Sequence, residues 1–84
     1  MTASINERVS AFIRHKLSEL TELPENDIDC DVDLACFGMD SLTAAMLTEE
    51  INLHLRQDVV EYSDMVTVST INDVAALVAS RFRE

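Results

Sequence analysis

The chain is poor in the residues that break or decorate a backbone: 84 residues hold one glycine, one proline, two cysteines and no tryptophan. With so few turn-formers and no clean apolar–polar alternation, a β fold has nothing to build from. No apolar run approaches 18 residues and no charged-then-apolar leader is seen, so neither a membrane span nor a secretory signal is expected and the chain reads as cytoplasmic. Cys30 and Cys36 stand alone, without a second pair or a neighbouring histidine, so neither a zinc site nor redox chemistry follows. They are expected as reduced, buried or half-buried apolar side chains. Length sets its own limit. A chain this short buries roughly 60 to 70% of its unfolded surface, enough for one modest core but not for a deep cleft between two lobes. A binding or carrier module is expected rather than an enzyme, with residues 1–84 forming one domain and no catalytic residue or metal ligand assigned.

Positive charge is the other scarcity. Six Lys and Arg face sixteen Asp and Glu, for a net charge of -10, and residues 17–55 hold ten acidic residues with no Lys or Arg. That field repels nucleic-acid phosphates and anionic lipid surfaces and attracts basic protein surfaces. Nucleic acid and membrane are therefore disfavoured and not expected as partners, and basic proteins are favoured.

What is present is helical periodicity. Ser4-Ile5-Asn6-Glu7 has capping-box spacing, and Ile5, Val9, Phe12, Ile13, Leu17 and Leu20 form one stripe, predicting a helix over 5–20. Pro24 disfavours helical geometry at Leu23, so a connection of about twenty residues follows, with Ile28, Val32, Leu34 and Phe37 expected to pin it to the core around a turn of helix. A second helix starts at Asp40 or Ser41 and runs to about Arg56, burying Ala44, Leu47, Ile51 and Leu55. A short element is expected around Tyr62 to Val66. The last helix is capped by Thr70 and Asp73 and buries Ile71, Val74, Ala75, Val78 and Phe82. The reading is an all-α bundle of three main helices and a small one.

Several polar groups need a role. Ser41 follows the lone glycine by three positions, yet the candidate bases fail it. His54 lies thirteen residues along the same helix, about 20 Å away, and His15 lies off the stripe of its helix and reads as solvated. G-x-D-S-L is also not the nucleophile elbow of hydrolases. Asp29, Asp31, Asp33 and Asp40 fall at positions 1, 3, 5 and 12 of a calcium loop, but Leu34 replaces the obligatory glycine and Asp40 the longer glutamate, so calcium binding is not expected. Two readings of Ser41 remain. Asp40 and Ser41 can simply cap a helix, or Ser41 can be a covalent attachment point, with Gly38 opening the turn and the helix N-terminus suited to a phosphodiester. Off the buried stripe, Leu42, Met46, Glu49, Glu50 and Leu53 form a mixed apolar and acidic face that suits docking, with methionine able to adapt to more than one partner.

Phe37-Gly38-Met39-Asp40-Ser41-Leu42 resembles the G-x-D-S-L signature of acyl carrier proteins and related phosphopantetheine-bearing carrier domains. Length, acidity, helix order and the "TVSTINDVAALV" segment extend the likeness over residues 5–82. The resemblance implies a four-helix carrier bundle whose Ser41 bears 4'-phosphopantetheine taken from coenzyme A, with Asp40 beside it. It also implies a shuttle for thioester-bound acyl or aminoacyl groups, without catalysis of its own. Its partners would be a phosphopantetheinyl transferase, a loading enzyme and synthase or condensing enzymes, met through Leu42, Met46, Glu49, Glu50 and Leu53. Met46 and Leu53 stand where carriers of fatty-acid synthesis tend to place acidic residues, which is more similar to carriers of polyketide or nonribosomal peptide assembly. Aspartate before the serine fits the acyl type and also occurs in peptidyl carriers, so the cargo stays open. A chain starting at Met1 without flanking linkers is expected to be free-standing rather than an excised domain, and a monomer is expected. The alternatives are a fatty-acid carrier and a small acidic adaptor with no prosthetic group.

Overall fold

The computed structural model describes residues 4–83, so positions 1–3 and 84 of the expected 1–84 domain lie outside the described residues. Ser4 opens the first helix, α1 (Ile5–Thr21), by accepting a hydrogen bond from the Glu7 amide at 3.1 Å. The helix stops at Glu22, which takes a left-handed conformation just before Leu23-Pro24. The second helix, α2 (Ser41–Leu55), ends likewise on Arg56 at φ 57. A six-residue helix, α3 (Tyr62–Thr67), and a last helix, α4 (Ile71–Arg81), complete the all-α bundle. At the start of α4 the Thr70 hydroxyl accepts from the Asp73 amide and the Asp73 carboxylate accepts from the Thr70 amide, both at 3.1 Å.

The most extensive helix contact joins α1 to α4, with α2 packed on α1 and α3 on α2. Val9, Ile13 and Leu17 of α1 meet Leu47 and Ile51 of α2 and Ile71, Val74 and Val78 of α4 in the core. Each such side chain contributes about 1.5–3 kcal/mol by leaving water. Phe82 packs on the core from just beyond the end of α4 rather than from within it, and Ile5, Phe12 and Leu55 are partly buried at its edge. None of the described helices is long and apolar enough to cross a membrane.

The long connection between α1 and α2 is organised by two 3-10 turns, Glu25–Asp27 and Leu34–Phe37, rather than one. Ile28 and Leu34 are buried and Phe37 packs against the core, as expected. Val32 is a correction: it is exposed. The segment is held instead by its backbone. The Cys30 carbonyl accepts from the Asn72 amide at 3.2 Å, the Leu34 amide donates to the Ser69 carbonyl at 2.7 Å, and Asp33 pairs with Thr70 in a single bridge. Val32 lies between these anchors, in a turn where its amide donates to the Asp29 carbonyl. Cys36 is a second correction, being exposed, whereas Cys30 is half-buried and burial raises its thiol pKa. In a 3-10 turn residues i and i+3 share a face, so Leu34 and Phe37 take the core side and Ala35 and Cys36 are left outside.

Candidate functional site

The first helical position of α2 is Ser41, and it is exposed. The path to it begins at Gly38, whose φ of +75 closes the Leu34–Phe37 turn while its amide donates to the Ala35 carbonyl. A Cβ at Gly38 would touch nothing within 4 Å, so the requirement for glycine there comes from the backbone conformation alone. Asp40 is the N-cap: its Oδ1 accepts from the Thr43 amide at 2.8 Å. That backbone hydrogen bond, helped by the Thr43 hydroxyl, holds the Asp40 carboxyl below its ordinary pKa. An anionic carboxylate thus occupies the cap, and the Ser41 hydroxyl is presented beside it at the helix mouth.

Ser41 stands on the rim of an open cavity of about 550 Å³ between α2, α3 and the Leu34–Phe37 turn. Leu34, Met39, Ala44 and Met65 line its apolar side, with Asp33, Asp40, Thr67 and Ser69 among its polar lining. From α3 come Tyr62 and Val66, 42% and 61% exposed. The sequence marks a short element around Tyr62 to Val66 but assigns these two side chains no role. A signal was available: in a six-residue helix with Met65 turned to the core, Tyr62 and Val66 share a face and cannot both follow it inward.

Along α2, Leu42, Met46, Glu49 and Leu53 are four, three and four residues apart and form one outward stripe, spanning roughly 16 Å. Leu42 is 69% exposed and Leu53 64% exposed. Glu50 is not part of this stripe. Its carboxylate lies 3.5 Å from Lys16 of α1, and with Glu19 it raises the Lys16 pKa, the Glu19 hydrogen bond being the larger cause. One turn on from Glu50, His54 stacks on Phe12 with ring centroids 4.0 Å apart. Both side chains therefore join α2 to α1. His15 lies at 3.5 Å from Glu19 and 3.4 Å from Glu25 on the exposed surface of α1.

The aspartates of the connection have local work. Asp29 Oδ1 accepts from the Asp31 amide and Asp33 Oδ1 from the Ala35 amide, both at 2.9 Å, and Asp31 bonds the Asn72 side chain. Turn-making and capping account for these carboxylates.

With the geometry in hand, comparison with known proteins gives two matches. A family model described as "phosphopantetheine attachment site" matches residues 11–78. The chain is also similar to the highly reducing polyketide synthase pks5 of Leptosphaeria maculans, at 36% identity over 73 residues. That match covers 87% of this chain and 3% of the synthase, so the chain corresponds to a small part of that relative's length. No solved structure matches.

Proposed function

The chain belongs to the phosphopantetheine-attachment family, and from that premise we propose that Ser41 is the residue that bears the 4'-phosphopantetheine arm. The observation that carries the assignment is the exposed Ser41 at the first position of α2, on the rim of a cavity and next to an exposed apolar stripe. The fit is good, because a transferase reaching Ser41 meets no overlying segment among the described residues and an apolar-sided space adjoins it. In that modification Ser41 Oγ would bond to the phosphorus of the pantetheine phosphate of coenzyme A as the pyrophosphate bond breaks, adenosine 3',5'-bisphosphate departing with the bonding electron pair and the serine proton passing to a base of the transferase. When attached, the arm supplies a thiol that carries an acyl group as a thioester.

The protein's own contribution is positional. Gly38 turns the chain, Asp40 fixes the helix start, and the bundle holds both in place for a partner. Tethering makes delivery to that partner effectively intramolecular. The partners are a phosphopantetheinyl transferase, a loading enzyme and condensing or synthase enzymes, and the chemistry is theirs. Any enzyme acting at Ser41 must cover its neighbours, so we assign Leu42 and Met46 as the contacts nearest the arm, with Glu49 and Leu53 extending the same stripe. Glu50, tied to Lys16, supports α2 from its other side. The acidity of residues 17–55 favours partners with basic rims.

For the pathway, the similarity to a highly reducing polyketide synthase, together with Met46 and Leu53 on the outer face of α2, favours a polyketide acyl cargo over fatty-acid or aminoacyl cargo. The step at Ser41 is the same for a free-standing carrier and for a carrier within a longer synthase. Incubation with coenzyme A and a promiscuous transferase, followed by intact mass measurement, tests the assignment. The expected result is one phosphopantetheine added to the wild-type chain and none to Ser41→Ala. A folded wild-type chain of unchanged mass would instead favour an acidic adaptor without prosthetic group.

A further inference from the structure

The helix α3 has six residues, too few to be stable alone, yet it supplies Tyr62 and Val66 to the rim around Ser41. Its position must come from tertiary anchors. Met65 is buried in the core. Ahead of the helix, Asn52 of α2 holds the incoming chain, its Oδ1 accepting from the Val59 and Val60 amides and its Nδ2 donating to the Val60 carbonyl. After it, Ser69 and Thr70 are fixed by Leu34 and Asp73. Between these points α3 makes one ion pair among the described residues, Asp64 with Arg81 of the last turn of α4.

This pair is better built than a typical surface contact. Arg81 Nη1 lies 2.7 Å from Asp64 Oδ2 and Nη2 lies 3.4 Å from Oδ1, a fork-to-fork arrangement, and Nη1 also donates to the Val59 carbonyl at 3.2 Å. Asp64 is only 19% exposed, and the same carboxylate caps α3 by accepting from the Glu61 amide at 2.9 Å. One guanidinium thus binds the first turn of α3 and the strand of chain leading into it.

We propose that Arg81 is a positioning residue for partner docking: through Asp64 it fixes α3 against α4 and so sets the spacing between Tyr62 and Val66 on one side of Ser41 and Leu42 and Met46 on the other. This rests on Ser41 being the loading site. Arg81 lies in the last turn of α4, outside the residues that line the cavity beside Ser41. Its removal therefore acts on docking by widening the range of positions α3 samples.

Two arms test it. In hydrogen exchange on the unmodified full chain, Arg81→Met speeds exchange of the α3 amides several-fold and leaves α1 and α2 unchanged. In transferase kinetics it raises the KM for the carrier several-fold with kcat unchanged, and Arg81→Lys recovers part of the loss. Asp64→Asn keeps an acceptor for the Glu61 amide but removes the charge, so it gives the same pattern and decides the matter if Arg81→Met does not fold. Unchanged α3 exchange overturns the clamp, and faster exchange with an unchanged KM overturns its role in docking. A wild-type chain that is never loaded removes the carrier reading and this inference together, whereas normal loading with no effect of either variant removes this inference alone.

Discussion

The two faces of α2 differ in almost everything except residue type. Leu47 and Leu42 are five positions apart on one helix, yet the first is fully buried in the core and the second is 69% exposed beside Ser41. Ile51 and Leu53 repeat the contrast a turn later. Apolar character alone does not distinguish a core residue from an outward one. Register against the partner helices does, and the helix as a whole carries more apolar surface than its own bundle can cover. The inner face supports the fold, and the outer face, exposed in the bundle, is the one proposed above to meet partners.

Substitutions can sharpen or break this contrast. The largest effect is expected inside: Leu47→Ala should destabilise the chain by about 2–5 kcal/mol in denaturant unfolding, while Leu42→Ala should leave the midpoint nearly unchanged. Comparable losses at both positions would mean that the outer face is structural. Met46→Glu should raise the transferase KM with unchanged helix content by circular dichroism, reflecting on the order of 1–3 kcal/mol of lost apolar contact. Equal loading kinetics would remove Met46 from the docking stripe. Asn52 lies between the two faces and holds the Val59 and Val60 amides, so Asn52→Ala should cost about 1–3 kcal/mol through unpaired backbone groups. A stability loss there without any change in loading would separate support from docking.

The smallest effect concerns pH. Asp40 is held below its ordinary value of 3.8 by the Thr43 amide, and Asp64 by Arg81 first and the Glu61 amide second. A depressed folded pKa stabilises above the unfolded value and is lost as pH falls through the folded one. Both caps should therefore be intact between pH 5 and 7, with the Thr43 and Glu61 amide proton shifts titrating at midpoints below 3.8. Midpoints at or above that value would contradict the capping geometry.

Much of the bundle was legible in the sequence because local rules decide it. Ser4 and Glu7, and Thr70 and Asp73, are cap pairs whose spacing is visible without a structure, and Asp40 is a readable N-cap before Ser41. The apolar steps of α1 and α4 identify their buried faces in the same way. What was not legible depends on tertiary partners. The clasp of Cys30, Asp33 and Leu34 onto the start of α4 is made by backbone groups, which leave no mark on side-chain pattern, and so Val32 was assigned an anchoring role that the backbone fills. Cys36 faces out because a 3-10 turn, not an α-turn, sets its direction. Glu50 shares the acidity of Glu49 but is drawn to Lys16, a choice that only the packing of α2 on α1 decides. At the candidate site, the position of Ser41 at a helix start could be read directly, whereas the cavity and the contribution of α3 required the fold.

The central claim is that the arm is attached at Ser41. Tandem mass spectrometry of peptides from the transferase-treated chain tests it most directly, because it reports which hydroxyl carries the phosphodiester. The expected result is a single modified peptide, with the added group localised to Ser41 and expelled as a pantetheine fragment on activation. Localisation to any other serine or threonine, or a loaded Ser41→Ala chain, would contradict it.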